Sequence, residues 1–382
     1  MRRKSWLLTV LLAVVLVSPV AFMQQRGGQE EFGHYEVVEN WPQGLPDGQD
    51  GVTHSGWTWG SQAAVYAETP DRIWVAQRPE LPIPAEAKPW TPYGMLNPSL
   101  GNATGGKGGR YHHVIFVLNR DGKMTQWWQQ HDKLFDSPTA RGPHKIKISP
   151  YDPEKHVWVV DDNQHQIFKF TYDGKLVHTH GVKGEAGRGP NNFSRPTDIA
   201  WLPDGTYYIS DGYVGVRVAK FDRNGKFLMD WGTKPADPAK PGPNEFNTVH
   251  SIAISADRRI FVADRGHRRF QIFDENGKFL DQFSTGIRSS PYYHLITADQ
   301  MLWMADGGTH RIVKYDLKGN YLYGWGGPGG GAGQFNGPHQ ASVDQEGNFY
   351  TAEVFNGKLT KFRPRQGADK NKIVGQEVRP KS

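Results

Sequence analysis

The sequence predicts an all-β protein, a six-bladed β-propeller of four-stranded antiparallel blades, and three observations carry that expectation. The stretch from His250 to Leu280 reads as four short strands in meander order: Ile252 and Ile254 alternate with small residues, Ile260-Phe-Val-Ala263 and Phe270-Gln-Ile-Phe273 are apolar runs, and Asp274-Glu-Asn-Gly277 is a turn before Phe279-Leu280. The same frame recurs along the chain when the acid closing the second strand and the aromatic closing the third serve as anchors. It fits Asp161 to Phe170, Asp211 to Phe221, Asp306 to Tyr315 and Glu353 to Phe362, and with Asp264 of the reference copy the successive anchor acids are spaced by 50, 53, 42 and 47 residues, the length of one propeller blade. Helix signals are almost absent, whereas 45 glycines and an aromatic content of 12% suit many turns and packing between blades.

In chain order, Arg2, Arg3 and Lys4 precede the apolar run Trp6 to Val17, which reads as a signal peptide over residues 1–26 and predicts a periplasmic or secreted protein. No clean small-x-small site follows near Ser18 to Met23, so an uncleaved membrane anchor is the alternative, and no other stretch is long and apolar enough to span a bilayer. Residues 27–60 form a polar extension in which His34 to Trp41 alternates like one strand. A sixth, degenerate copy of the repeat has Ile73 to Gln77 as second strand and Val114 to Val117 as third, separated by an insertion from Pro79 to about Arg110 that contains Trp90 and Tyr93. An excursion of that length is expected to be either a functional lid or disordered. The propeller proper occupies residues 61–365 as a single domain, and residues 366–382 form a tail. The sixth blade shows three strands, so its outer strand is supplied by Tyr35 to Val38 or by Ile373 to Val378, and the pattern leaves both open. Gly324 to Gly333 follows an outer strand and opens no helix, which makes it an inter-blade loop rather than a phosphate cradle.

The chain has no cysteine, which excludes disulfides, thiolate ligands and a cysteine nucleophile. Any metal must therefore sit on histidine, carboxylate or carbonyl groups. The formal charge of +6 falls to +3 without the three N-terminal cations, and no Lys/Arg block remains, so nucleic acid is not an expected partner. A monomer is expected.

Reading the repeats in register brings out the chemistry. The residue that opens the innermost strand is His144, Thr197, His250, Tyr292 and His339 in blades two to six, so histidine occupies alternate blades. Innermost strands ring the channel and alternate blades of six stand about 120° apart, so three imidazoles should converge on the axis. Three nitrogens with one open direction suit a catalytic zinc. A lone histidine at a strand start is more often a turn or core residue; the shared register is what distinguishes these three. His112, His113, His131, His165, His178, His180, His267, His294 and His310 lack it and are expected on the surface or in turns.

The loop entering a blade's first strand and the loop joining its second to its third open on the same face. Residues following the anchor acids should then surround the metal, and there the chain places Arg78, Tyr213 and Arg265. Two guanidiniums would hold a carboxylate with paired hydrogen bonds, and a tyrosine hydroxyl beside a dication is suited to act as a base. Each also has a plain structural reading, as a blade-edge arginine or a turn-packing tyrosine. The anchor acids themselves read as structural acceptors of turn N–H groups.

The blades resemble NHL repeats, and the combination Pro143-His144, Ser210-Asp-Gly-Tyr213, Val249-His250-Ser251, Val262-Ala-Asp-Arg265 and Pro338-His339 resembles the peptidyl-α-hydroxyglycine α-amidating lyases over all six blades, about Ser61 to Arg363. The resemblance implies a zinc lyase that splits an α-hydroxyglycine N–C bond to an amide and glyoxylate. His144, His250 and His339 would hold zinc, Tyr213 would be the base toward the hydroxyl, and Arg78 and Arg265 would position the carboxylate of a small-molecule or peptide substrate and the tyrosinate. The family often adds a structural calcium through an Asp after the third histidine; Gln340 stands there, which argues against calcium. The competing expectations are a non-catalytic NHL propeller that binds a peptide, glycan or partner protein, and a lactonase-like metal-dependent hydrolase.

Overall fold

The computed structural model describes residues 32–45, 56–82, 109–139, 141–331, 333–355 and 357–378. The signal or anchor segment and the middle of the Pro79 to Arg110 insertion, with Trp90 and Tyr93, lie outside the described residues.

Six four-stranded antiparallel sheets follow one another around a ring. Blade four, the reference repeat, is Val249–Ile254, Ile260–Asp264, Arg269–Phe273 and Phe279–Ser284. Its first three strands are buried at every position, while the outermost is largely exposed. The cause is architectural: each sheet is covered on both faces by neighbouring blades, so inner strands read as nearly continuous apolar runs. The core is accordingly divided into inter-blade layers, such as Tyr208, Trp231, Ile252, Val262 and Phe273 between blades three and four. The Asp274-Glu-Asn-Gly277 turn forms as the sequence predicts, with Asp274 Oδ1 accepting the N–H groups of Asn276 and Lys278. Gly277 has φ +75°, and an added Cβ would lie 2.6 Å from the Trp231 ring, so both backbone and packing require glycine.

The degenerate first blade is Gln62–Thr69, Arg72–Gln77, Ile115–Leu118 and Met124–Trp127. Ends of its insertion are tied down, because Leu81–Pro82 pairs with Trp57–Thr58 and Glu80 bridges Arg110. Tyr35–Val37 closes the ring by pairing with Leu359–Pro364, the third strand of blade six. The other candidate crosses elsewhere: Glu377 bridges Thr297, and the Val378 N–H donates to Ile296 O.

Ring closure concentrates aromatic packing around Trp325, which is wholly buried against Tyr35, Phe335, Phe349 and Phe362 at centroid distances of 5.3, 5.4, 5.8 and 5.1 Å. Trp325→Ala is expected to destabilise the protein by about 3–5 kcal/mol, read as a lowered denaturant midpoint.

The anchor acids are structural, as expected. Asp161 accepts from Asn163 and Gln164, Asp211 from Ser194, Asp264 from Asn247 and Asp306 from Ser290, all through backbone N–H groups. One expectation is corrected. His113, His180 and His294 are not surface residues but are 1%, 2% and 1% exposed, and His180 and His294 lie in strands while His113 keeps a bend, with φ +50°. They fill inter-blade space that an aromatic ring would fill, His180 against Phe221 at 4.8 Å and His294 against Phe270 at 4.7 Å, while His113 bonds Glu80 at 2.7 Å. Burial pushes His180 and His294 down to about 3, which keeps both neutral.

Candidate metal centre

In all six blades the pairing of the innermost strand with the second skips one residue at the same place. The skipped residues are Ala63, His144, Thr197, His250, Tyr292 and His339. A bulge turns its extra residue out of the alternation of the pleat, and here it turns it toward the channel axis. The register seen in the sequence is therefore a ring of β-bulges, with histidine at every second one.

The three imidazoles meet. His144, His250 and His339 are buried, and one ring nitrogen from each lies within 4.8 Å of the others. Their orientation is fixed by one repeated contact, in which Nδ1 donates to the carbonyl of the next blade's bulge residue: His144 to Thr197 at 2.6 Å, His250 to Tyr292 at 2.5 Å and His339 to Ala63 at 2.7 Å. A carbonyl only accepts, so the Nδ1 atoms carry the protons and the Nε2 lone pairs face inward. Burial, joined by the neighbouring imidazoles and by Lys145, Arg78 and Arg265, holds all three well below the usual histidine range, so all are neutral. Tyr213 Oη lies 3.1 Å from His144 Nε2 and 2.9 Å from His250 Nε2, yet one phenol has a single proton to offer two acceptors. His339 Nε2 is buried with no hydrogen-bond partner. Convergent buried lone pairs outnumbering their protons fit a bound cation, and imidazole donors suit zinc or a similar transition ion.

Of the expected second group, Tyr213 and Arg265 are in contact. Arg265 lies with Cζ 4.9 Å from the Tyr213 ring and 5.0 Å from the Tyr292 ring, and its Nη1 is 3.5 Å from Tyr213 Oη. Arg78 is buried, with Nη2 3.7 Å from Asp162 Oδ1. Sequence reasoning missed Asp162 and Arg195. The Arg195 guanidinium is held by Asp162 and lies 4.4 Å over the Tyr213 ring.

One step along the inner strands from the imidazoles, Lys145 Nζ donates to His339 O at 2.7 Å and Gln340 Nε2 to Ile146 O at 2.9 Å. Asp198 is paired with Lys147 at 2.7 Å and accepts from Ser251 Oγ at 3.0 Å. A calcium asks for six to eight oxygen ligands; these residues offer one carboxylate, already paired with Lys147, and do not fit it.

No model of a known protein family matches the chain. It is 29% identical over 244 residues to peptidyl-alpha-hydroxyglycine alpha-amidating lyase 1 of Drosophila melanogaster, covering 58% of this chain and 44% of that protein. The chain is similar to amidating lyases. It is also 31% identical over 170 residues to NHL repeat-containing protein 3 of Mus musculus, covering 42% of this chain and 45% of the relative. The chain thus spans less than half the length of these curated relatives. Among solved structures, a gluconolactonase from Xanthomonas campestris matches 87% of this chain and 91% of its own with a TM-score of 0.52 at 13% identity, a likeness of fold alone.

Proposed function

We propose that this propeller is a zinc-dependent carbon–nitrogen lyase acting on a peptidyl-α-hydroxyglycine or related α-hydroxy amide, and releasing an amide and glyoxylate. The observation that carries the reading is the contact of Tyr213 Oη with two of three convergent imidazoles, under the guanidinium of Arg265. A bound zinc would supply a Lewis acid toward substrate oxygen. Arg78 and Arg265 would bind the substrate carboxylate and orient the hydroxyl-bearing carbon toward Tyr213. In its ionised form Tyr213 takes the hydroxyl proton, the carbon–oxygen double bond forms, and the carbon–nitrogen pair leaves with nitrogen. The phenol then returns the proton to the departing nitrogen, so protons balance. The basic and apolar N-terminal segment supports action outside the cytoplasm.

The test is metal content by mass spectrometry on the purified chain together with glyoxylate release from a hydroxyglycine amide. Stoichiometric zinc with glyoxylate release is the expected result. Zinc with lactone opening but no glyoxylate would replace the lyase by a hydrolase, and absence of both would leave a binding platform. A pH dependence follows from the depressed imidazoles. Groups already neutral release no proton when metal binds, so affinity is expected to stay level as pH falls from 8 to 6.5, where ordinary histidines begin to compete. Titration with zinc at several pH values reads this directly; a steady decline across that window would contradict it.

A further inference from the structure

We infer that Arg195 is a third arginine of the carboxylate site and that Asp162 is the positioning residue that sets it together with Arg78. The inference rests on the carboxylate-bearing substrate proposed above, though not on which bond is broken.

The repeat frame singles out both residues. Two positions before the bulge, the loops entering the blades carry Ser61, Gly142, Arg195, Thr248, Ser290 and Gly337, which is one long cation among short side chains. Immediately after the second strand they carry Arg78, Asp162, Gly212, Arg265, Gly307 and Val354. These two loops of a blade touch, as the N–H of Arg78 to Ser61 O and of Arg265 to Thr248 O show, so all these positions share the face on which Tyr213 stands. Asp162, from blade two, thus lies between an arginine of blade one and an arginine of blade three.

Asp162 has a side chain that is 0% exposed, although it sits at the end of the ring that opens to solvent. A carboxylate withdrawn from water is costly unless paired. Its Oδ2 accepts from Arg195 Nε at 3.1 Å and from Nη2, and its Oδ1 lies 3.7 Å from Arg78 Nη2. The pairing is incomplete on the side of Arg78, since Asp162 Oδ1 and Arg78 Nε are both buried without a hydrogen bond. Arg265 forms no ion pair among the described residues. Arg195 thus stands in both groups, with Arg78 on the buried carboxylate of Asp162 and with Arg265 on the ring of Tyr213, and on the Arg78 side buried donor capacity is unused. A second carboxylate, brought by the ligand, completes that arrangement with the forked bonds arginine makes to planar anions. Arg195, stacked over Tyr213, joins the anion site to the tyrosine.

The experiment is calorimetric titration of the purified full-length chain with glyoxylate, comparing wild type, Asp162→Asn, Arg195→Met, Arg195→Lys and the Asp162→Asn/Arg195→Met pair. Wild type is expected to bind, and each single removal to weaken binding at least tenfold. The double variant is expected to lose less than the product of the two singles, because one side chain acts through the other. Arg195→Lys should recover part of the loss, since it restores charge without the fork. Arg195→Met is partly exposed, so it tests the idea even where Asp162→Asn fails to fold. Wild type that does not bind glyoxylate, or an Arg195→Met that binds within twofold of wild type, overturns the inference. Binding and release are read separately. A chain that binds glyoxylate in a way that depends on Arg195 and Asp162 but forms none from a hydroxyglycine amide keeps this inference and loses the lyase, and turnover with indifferent variants does the reverse.

Discussion

His250→Ala is expected to abolish stoichiometric metal binding and to lower glyoxylate release by on the order of a thousandfold, equivalent to about 4 kcal/mol of transition-state stabilisation. Two imidazoles remain after the change, and two nitrogens no longer form the three-ligand set of a catalytic zinc site. The substitution also leaves the Tyr292 carbonyl, which accepts from His250 Nδ1, without its donor. That loss is expected to cost about 1–3 kcal/mol of stability, which the inter-blade core should tolerate because His250 faces the channel and not a neighbouring sheet. The measurement pairs metal content with a denaturant melt. A folded His250→Ala protein that still carries one zinc per chain would show that the ion sits elsewhere.

Tyr213→Phe separates base from metal. Phenylalanine keeps the ring that lies beneath the guanidiniums of Arg195 and Arg265, at 4.4 and 4.9 Å, and deletes only the oxygen in contact with His144 and His250. Metal should therefore stay at wild-type occupancy while kcat falls about 10²–10⁴-fold, the range for loss of a general base. KM should change little, since the carboxylate partners are intact. Equal kcat in the two proteins would remove Tyr213 from the chemistry and leave it a packing residue.

The histidines show why this sequence was unusually legible. A propeller repeats one frame, so the same channel-facing position can be read in blade after blade without coordinates, and His144, His250 and His339 declared themselves by alternation. The frame also placed Arg78, Tyr213 and Arg265 on the loops that follow the second strands, where the structure has them. It did not reveal the bulge, because the inserted residue is a property of pairing between two strands and leaves no mark in either strand alone. Nor did it reveal Arg195 and Asp162, although the signal was present: one arginine among Ser, Thr and Gly at the loop position two before the bulge.

Periodicity and register, both local and repeated, determined the blade count, the antiparallel meander and the identity of the convergent histidines. Tertiary structure alone decided how the ring closes, since Tyr35–Val37 and the segment near Val378 are both strand-like and only the docking at Leu359–Pro364 distinguishes them. It alone decided that His113, His180 and His294 are buried, because an imidazole without its neighbours looks the same in a core as in a turn. The pairing of Asp162 with arginines of two other blades was also beyond the sequence, for the physical reason that charge partners far apart in the chain meet only when the ring is closed.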